Sequence, residues 1–380
     1  MRVITRQFTK EILISTSFVL VALVALFAFF DLIGQLDDVG TNNRTMSEAF
    51  TLTAMTLPSR IYEVMPLAAL LASVYTMSRW AATSEFTVLR VAGMSPVSLA
   101  LSLLLPGLML VAITYFFGEV VAPPAERYGV EVKTLAKKQT NLTARGYSSG
   151  VWVRDSTHSD AGLEVDRYIN VKYIKATNQG ETGGWRLFEF DKAGKLQIFI
   201  ESKSARYEAG RGWLLQDVVR YQYPQFDGKD NRPLSARIEM QTMKEFLLPS
   251  SLGPDILGVM TAKPDTMSMQ DLDRYISHLK KNNQQTEHYE VAFWKKAFYP
   301  LATLVMLALS MPFAYMNARS GGLAIKMFIG VMIGIVFYAM NNLFSYLGVL
   351  NTWSPIIVCL VPTIFMLVIA AVAMYWVERR

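Results

Sequence analysis

One cysteine, Cys359, and three histidines, His158, His278 and His288, occur in 380 residues. A single thiol permits neither an intrachain disulfide nor a thiolate cluster. The histidines fall at loop or polar helix positions without metal-ligand spacing, so no metal site is expected. No phosphate-binding loop is present either; the nearest string, Gly194-Lys195-Leu196, lacks the hydroxyl residue that would hold magnesium. With no nucleophile elbow and no paired-carboxylate motif, the chain offers no catalytic residue. Charge is scarce as well: 18% of residues are charged against 52% hydrophobic, too apolar for an ordinary soluble protein of this length. The net charge of +6 is not gathered into basic runs interleaved with aromatics, which argues against nucleic acid as a partner.

What the chain does have is long apolar runs, concentrated at its two ends around a polar, aromatic, glycine-rich middle third. A bilayer core ~30 Å thick needs roughly 20 helical residues at 1.5 Å each. Six segments qualify, approximately Ile12 to Phe30, Ile61 to Met77, Val97 to Phe117, Ala297 to Met316, Leu323 to Leu347 and Ile356 to Val377. The second is the weakest, since it carries Glu63 and Pro66. The basic N-terminus before the first run resembles a secretory signal, yet the run ends at Phe29-Phe30-Asp31 with no small-residue cleavage pattern and reads as a retained span. One side of the membrane receives Arg2, Arg6, Lys10, Arg79, Arg90, Arg319, Lys326, Arg379 and Arg380, the other only Arg44 and Arg60 in its short loops. That bias, and the even number of spans, put both termini in the cytoplasm and the middle third in the periplasm of a cell with two membranes.

The middle third, from about Gly146 to Leu248, alternates apolar and polar residues in runs such as Gly150 to Arg154, Tyr168 to Val171, Trp185 to Phe190 and Leu196 to Ile200. Gly183-Gly184, Ala193-Gly194, Gly210-Arg211-Gly212 and Asp227-Gly228 read as the turns between them. Period-2 runs so punctuated predict an antiparallel sandwich or jelly roll. Residues Pro264 to Lys281 return to helical spacing, with Leu272, Ile276 and Leu279 on one face, as an amphipathic helix leading back to the membrane at Phe293-Trp294-Lys295-Lys296. The expected architecture is an α-helical polytopic membrane protein with an inserted periplasmic all-β domain. Residues 1–135 carry the first three spans and a short cytoplasmic helix at about 83–93, 136–260 the β domain, 261–296 the amphipathic helix and 297–380 the last three spans.

That cytoplasmic helix is the most informative local feature. Thr83 or Ser84 can cap it, Glu85 favours its first turn, and Gly93 followed by Pro96 ends it, leaving Phe86 and Leu89 where a soluble partner could grip them. The bland reading is an interfacial turn that only joins two spans. The strings Met65-Pro66-Leu67-Ala68-Ala69-Leu70-Leu71, Ser84-Glu85 through Gly93, and Gly118-Glu119-Val120-Val121-Ala122-Pro123 closely resemble the lipopolysaccharide export permeases, the LptG branch more than its paralogue LptF. Trp294-Lys295-Lys296 and Val336-Phe337-Tyr338 are similar too, and the likeness extends over all six spans.

The resemblance implies a transport subunit that takes lipopolysaccharide from the outer leaflet of the inner membrane. It implies a homologous permease as partner and a cytoplasmic ATPase dimer holding ATP and magnesium, with no cofactor in this chain. It further implies a single-span periplasmic bridge subunit resembling LptC, whose helix can insert beside the first span. Ser84, Glu85, Phe86, Leu89 and Arg90 would then contact the ATPase, with Phe86 and Leu89 in its groove. Phe30, Ile33, Tyr338 and Phe344 would line the acyl-chain cavity, although each is equally a lipid-facing or packing residue. Arg60, Arg127, Lys133, Lys295 and Lys296, near the periplasmic boundary, are candidate phosphate contacts or interfacial snorkelers. Asp31, Asp37 and Asp38 stand where lysines would be expected, and would repel phosphates or bind them only through divalent cations. Gly330 and Gly334 form a GxxxG step suited to close helix approach, within or between subunits. The rival readings are a membrane-anchored periplasmic scaffold, for which six spans are far more than an anchor needs, and the paralogous permease subunit.

Overall fold

The computed structural model describes residues 2–37, 39–40, 45–93, 95–136, 141–142, 150–158, 164–175, 180–224, 237–250, 252–259, 263–315, 322–350 and 353–379. In chain order the elements are α1 (Arg2–Leu36), α2 (Met46–Ala82), α3 (Glu85–Val91), α4 (Pro96–Tyr115), a π-helical segment (Phe116–Val121) and α5 (Ala122–Ala136). Seven strands follow: β1 (Asn141–Leu142), β2 (Val151–His158), β3 (Glu164–Lys175), β4 (Glu181–Phe190), β5 (Leu196–Glu208), β6 (Gly212–Gln222) and β7 (Glu239–Leu248). Then come α6 (Pro254–Val259), α7 (Met269–Lys281), α8 (Glu287–Phe298), α9 (Ala302–Tyr315), α10 (Leu323–Leu350) and α11 (Pro355–Glu378). They form two compact units, Met1–Gly129 with Glu287–Arg380, and Val130–Thr286.

Among the described residues six helical stretches are long and apolar enough to cross a bilayer: Thr5–Leu36, Met46–Ala82, Val97–Lys133, Glu287–Tyr315, Leu323–Leu350 and Pro355–Val377. They begin or end beyond the apolar runs, because a run stops at its first charge whereas the helix continues through Arg60, Glu119 and Lys295-Lys296. Thr45 starts α2 with a capping box, its hydroxyl accepting from the Glu48 N–H and the Glu48 carboxylate accepting from the Thr45 N–H. The span with the least apolar sequence proves to be among the most buried. Val64, Met65, Ala68, Ala69, Leu70, Ala72, Val74 and Met77 of α2 lie in the core, and α1, α9 and α10 all pack on it. Gly330 and Gly334 turn their bare faces to this helix, where Leu71, Val74 and Leu67 fill the space. Lys326, counted above among the cytoplasmic charges, is buried in α10.

In the second unit all strand pairings are antiparallel, β1 and β2 sharing one edge of β3 and the order then running β3-β4-β5-β6-β7. Alternation decides which side chains turn inward: Val151, Val153, Ile169, Val171, Trp185, Leu187, Ile200, Trp213, Leu215 and Val218 form one core, which Leu248, Leu252 and Leu257 join from the chain after β6. Both buried tryptophans find acceptors, Trp185 at the Thr182 hydroxyl (2.6 Å) and Trp213 at the Leu252 carbonyl (2.6 Å). Arg167 and Glu189 enter the same interior as an ion pair at 2.6 Å. Gly183-Gly184 does not make a turn. Both lie inside β4, with Gly183 packed under the Tyr173 ring and Gly184 at φ 65, a kink rather than a break. Asp227-Gly228 lies outside the described residues. The amphipathic helix is α7, capped by Ser268 and Asp271; its buried face carries Leu272, Tyr275, Ile276, Leu279 and also His278, whose burial holds the imidazole below its usual range.

A side chain added at Gly334 would overlap Leu67, whereas Gly322 faces open space. Gly334→Ile is therefore expected to lower the unfolding temperature in detergent, at a cost of about 1–3 kcal/mol for overpacking. Gly322→Ala should stay within about 0.5 kcal/mol. Equal effects at the two positions would show that close approach to α2 is not what Gly334 provides.

Candidate functional site

The short helix α3 is isolated from its neighbours by two left-handed residues, Ser84 at φ 62 and Gly93 at φ 91. The Ser84 carbonyl accepts from the Val88 N–H at 3.1 Å, and the Thr83 hydroxyl donates to the Glu85 carboxylate at 3.1 Å. Its inward face corrects the expectation from sequence. Phe86 is only 2% exposed, edge-on to the Tyr315 ring at 4.9 Å, and Leu89 packs partly buried against the same core. The outward face carries Glu85, Thr87, Val88 and Val91, the last two 66% and 85% exposed. Four apolar residues within six positions (86, 88, 89 and 91) leave the buried face undetermined by periodicity alone. Once formed, the helix turns its largest side chain, Phe86, toward the membrane unit. Ser84 is exposed at the start of the helix. The Arg90 side chain lies outside the described residues.

A polar band ties the spans together. The Arg60 guanidinium on α2 grips Asp31 on α1 through two bonds of 2.7 and 2.8 Å, reaches Glu63 at 2.9 Å, and lies 5.7 Å from the centre of the Phe27 ring. One cation between two carboxylates presents no positive charge to a phosphate, so Arg60 is an interhelical clasp and not the phosphate contact expected. Lys296 is corrected in the same way. Its ammonium is buried, paired with Glu119 at 3.0 Å and donating to the Gly118 carbonyl at 2.9 Å. Both partners lie in the π-helical segment, where the wider register loosens the backbone ladder. The Tyr115 hydroxyl donates to the Ala297 carbonyl, the Tyr299 hydroxyl to the Glu63 carbonyl, and Ser59 to Glu126 at 2.9 Å. Gly118 fits beneath Tyr62, where any side chain would strike the ring. Of the five candidate cations Arg127 and Lys133 are exposed on α5, and Lys295 is half-buried on α8. Asp37 is exposed, and Asp38 lies outside the described residues.

Phe30 and Ile33 stand exposed on α1 and Tyr338 on α10, with Phe344 half-buried. Sequence reasoning passed over an all-apolar groove of about 250 Å³ between α10 and α11, lined by Phe328, Met332, Val336, Met366 and Ile369 among others. It also missed the parts played by Asp31, Glu119 and Tyr315. Each of these acts through a partner from a distant span, and a π register leaves no periodic signature to read.

Lys296→Met is expected to cost about 2–3 kcal/mol of stability in detergent, somewhat less than a fully buried pair because Glu119 keeps some contact with water. Adding Glu119→Gln should recover most of the loss. A double variant no more stable than Lys296→Met would mean that the carboxylate is not what Lys296 neutralises.

The match to known proteins covers almost the whole chain. The family described as "Lipopolysaccharide export system permease LptF/LptG" matches residues 6–376. The Haemophilus influenzae "Lipopolysaccharide export system permease protein LptG" is 25% identical over 376 residues, 99% of this chain and 98% of its own. The protein of the same name from Escherichia coli strain K12 is 26% identical over 362 residues, 95% and 94% of the two chains. With six spans and an inserted antiparallel β domain, this multi-pass inner-membrane protein belongs to the LptF/LptG family of lipopolysaccharide export permeases.

Proposed function

We propose that the chain is one permease of an ATP-driven exporter that extracts lipopolysaccharide from the outer leaflet of the inner membrane. Bringing one acyl chain of ordinary length into water costs on the order of 10 kcal/mol at ~0.8 kcal/mol per CH₂, so spontaneous desorption is excluded and an energy source is required. With no phosphate-binding loop in this chain, that source is a cytoplasmic ATPase dimer holding ATP and magnesium. A homologous LptF-like permease completes the cavity, to which Phe30, Ile33, Tyr338 and Phe344 contribute apolar wall. An LptC-like single-span subunit leads the lipid onward in the periplasm. Both termini are cytoplasmic and the β domain periplasmic, as the basic-residue bias indicates. The exposed cations Arg127 and Lys133, with Lys295, attract the phosphates.

The observation that carries the coupling is the two-faced α3. An isolated seven-residue helix anchored inward by Phe86 and Leu89 offers Glu85, Val88 and Val91 outward, a small apolar contact with a carboxylate at its start. Val88→Asp with Val91→Asp should leave the permease folded but strip it of the co-purifying ATPase and of ATP-dependent lipid release. Wild-type association in that variant would sink the coupling assignment.

Orientation has its own test. A membrane-impermeant maleimide applied to spheroplasts should label Arg211→Cys, in the β5-β6 turn, while Val91→Cys reacts only after lysis. The native Cys359 is buried and gives little background. Labelling in the reverse order would overturn the topology.

A further inference from the structure

The sheet of the second unit has two faces, and the hydrophobic core occupies one of them. On the other, the register lines up side chains straight across the strands: Arg154 opposite Tyr168, Tyr168 opposite Phe188, Phe188 opposite Phe199, Phe199 opposite Tyr221 and Tyr221 opposite Met240. The rings touch along this row, Phe188 to Phe199 at 4.8 Å and Phe199 to Tyr221 at 5.7 Å. The adjoining row on that face runs Trp152, Asn170, Arg186, Glu201, Val219, and its Trp152 stacks on Phe188 at 5.8 Å. The face thus passes from an aromatic row to a polar one within one repeat of the pleat.

Over the polar row lies a hollow of about 770 Å³ whose lining includes Trp152, Lys172, Arg186, Glu201, Lys203 and Asp217. Gly184 in its wall adds no side chain to fill it. Three cations against two carboxylates leave these residues one charge positive. The two internal pairs, Arg186 with Glu201 at 3.2 Å and Lys203 with Asp217 at 3.5 Å, are largely exposed and so weakly held, free to exchange for another anion. Lys172 makes no ion pair among the described residues. Trp152, half exposed, offers a flat apolar surface beside these donors and acceptors. A broad ring platform suits the C–H face of a sugar, the carboxylates suit its hydroxyls, and the lysines and Arg186 suit phosphate. The volume is that of a small-molecule site.

We propose that this hollow binds the phosphorylated sugar head of the exported lipid, with Trp152 beneath a sugar ring and Lys172, Arg186 and Lys203 on phosphate. The proposal rests on the export function proposed above. It adds that this chain's own β domain recognises the head group, by the charge and stacking of one sheet face.

The test uses the full-length permease in detergent and, as probe, a deacylated glucosamine disaccharide bisphosphate, with binding followed by calorimetry. The wild type should bind it. Lys172→Ala with Lys203→Ala, and separately Arg186→Ala, should weaken binding about tenfold or more, the usual size of a lost charged hydrogen bond. Trp152→Leu should also weaken it, Lys172→Arg should retain it, and unchanged unfolding temperatures should show all variants folded. The unphosphorylated disaccharide should bind at least tenfold more weakly, and inorganic phosphate should not compete at equal concentration. No binding, binding indifferent to these substitutions, or inorganic phosphate binding as tightly as the disaccharide would each overturn the proposal. Photo-crosslinking of intact lipopolysaccharide at Phe30 and Tyr338 separates the two claims. Crosslinks there without disaccharide binding defeat the head-group site alone, and neither signal defeats the export reading with it.

Discussion

Hydrocarbon gives helices no hydrophobic reason to associate, so a six-span protein must be held by close packing and by polar groups that satisfy one another inside it. Both devices converge on α2. Its buried face is built from small residues, Ala68, Ala69, Ala72, Ser73 and Thr76, and the hydroxyls cost nothing there because Ser73 donates to the Ala69 carbonyl and Thr76 to the Ala72 carbonyl in their own helix. Gly330 and Gly334 bring α10 close to Leu67 and Leu71 on the same helix. The hydropathy that made this span look weak is the signature of a helix that meets protein rather than lipid. The spans α1, α10 and α11 are more apolar and far less buried.

The polar ties have a consequence for charge. Arg60 and Lys296 sit among Asp31, Glu63 and Glu119, and their cations are consumed in holding α1 to α2 and α8 to the third span. A phosphate approaching this band meets neutralised lysine and arginine beside surplus carboxylate. Of the acidic residues at the C-terminal end of the first span, Asp31 has a structural partner in Arg60.

How much of this was legible depended on the range of the interaction. The six spans, the period-2 strands and the amphipathic α7 are written in local patterning, and each is present in the fold. Boundaries shifted wherever a helix ran on through a charge that another span neutralises, as at Lys295-Lys296. The Gly183-Gly184 pair looked like a turn, since a dipeptide alone cannot show that Tyr173 on the neighbouring strand covers it. For the candidate site the result was mixed. The position of α3 followed from its glycine and proline punctuation, but its orientation did not, because Phe86 and Val88 are both apolar and only Tyr315, far along the chain, distinguishes them.

These contacts also gather on one span. Phe86 of α3 bears on Tyr315, the last residue of α9. The fourth span from Glu287 to Tyr315 has 29 residues, and Lys296, about a third of the way along it, holds Glu119 and the Gly118 carbonyl. The short helix α3 and the π-helical segment of the third span thus both pack on one well-buried span, α3 through Tyr315 and the π-helical segment through Lys296.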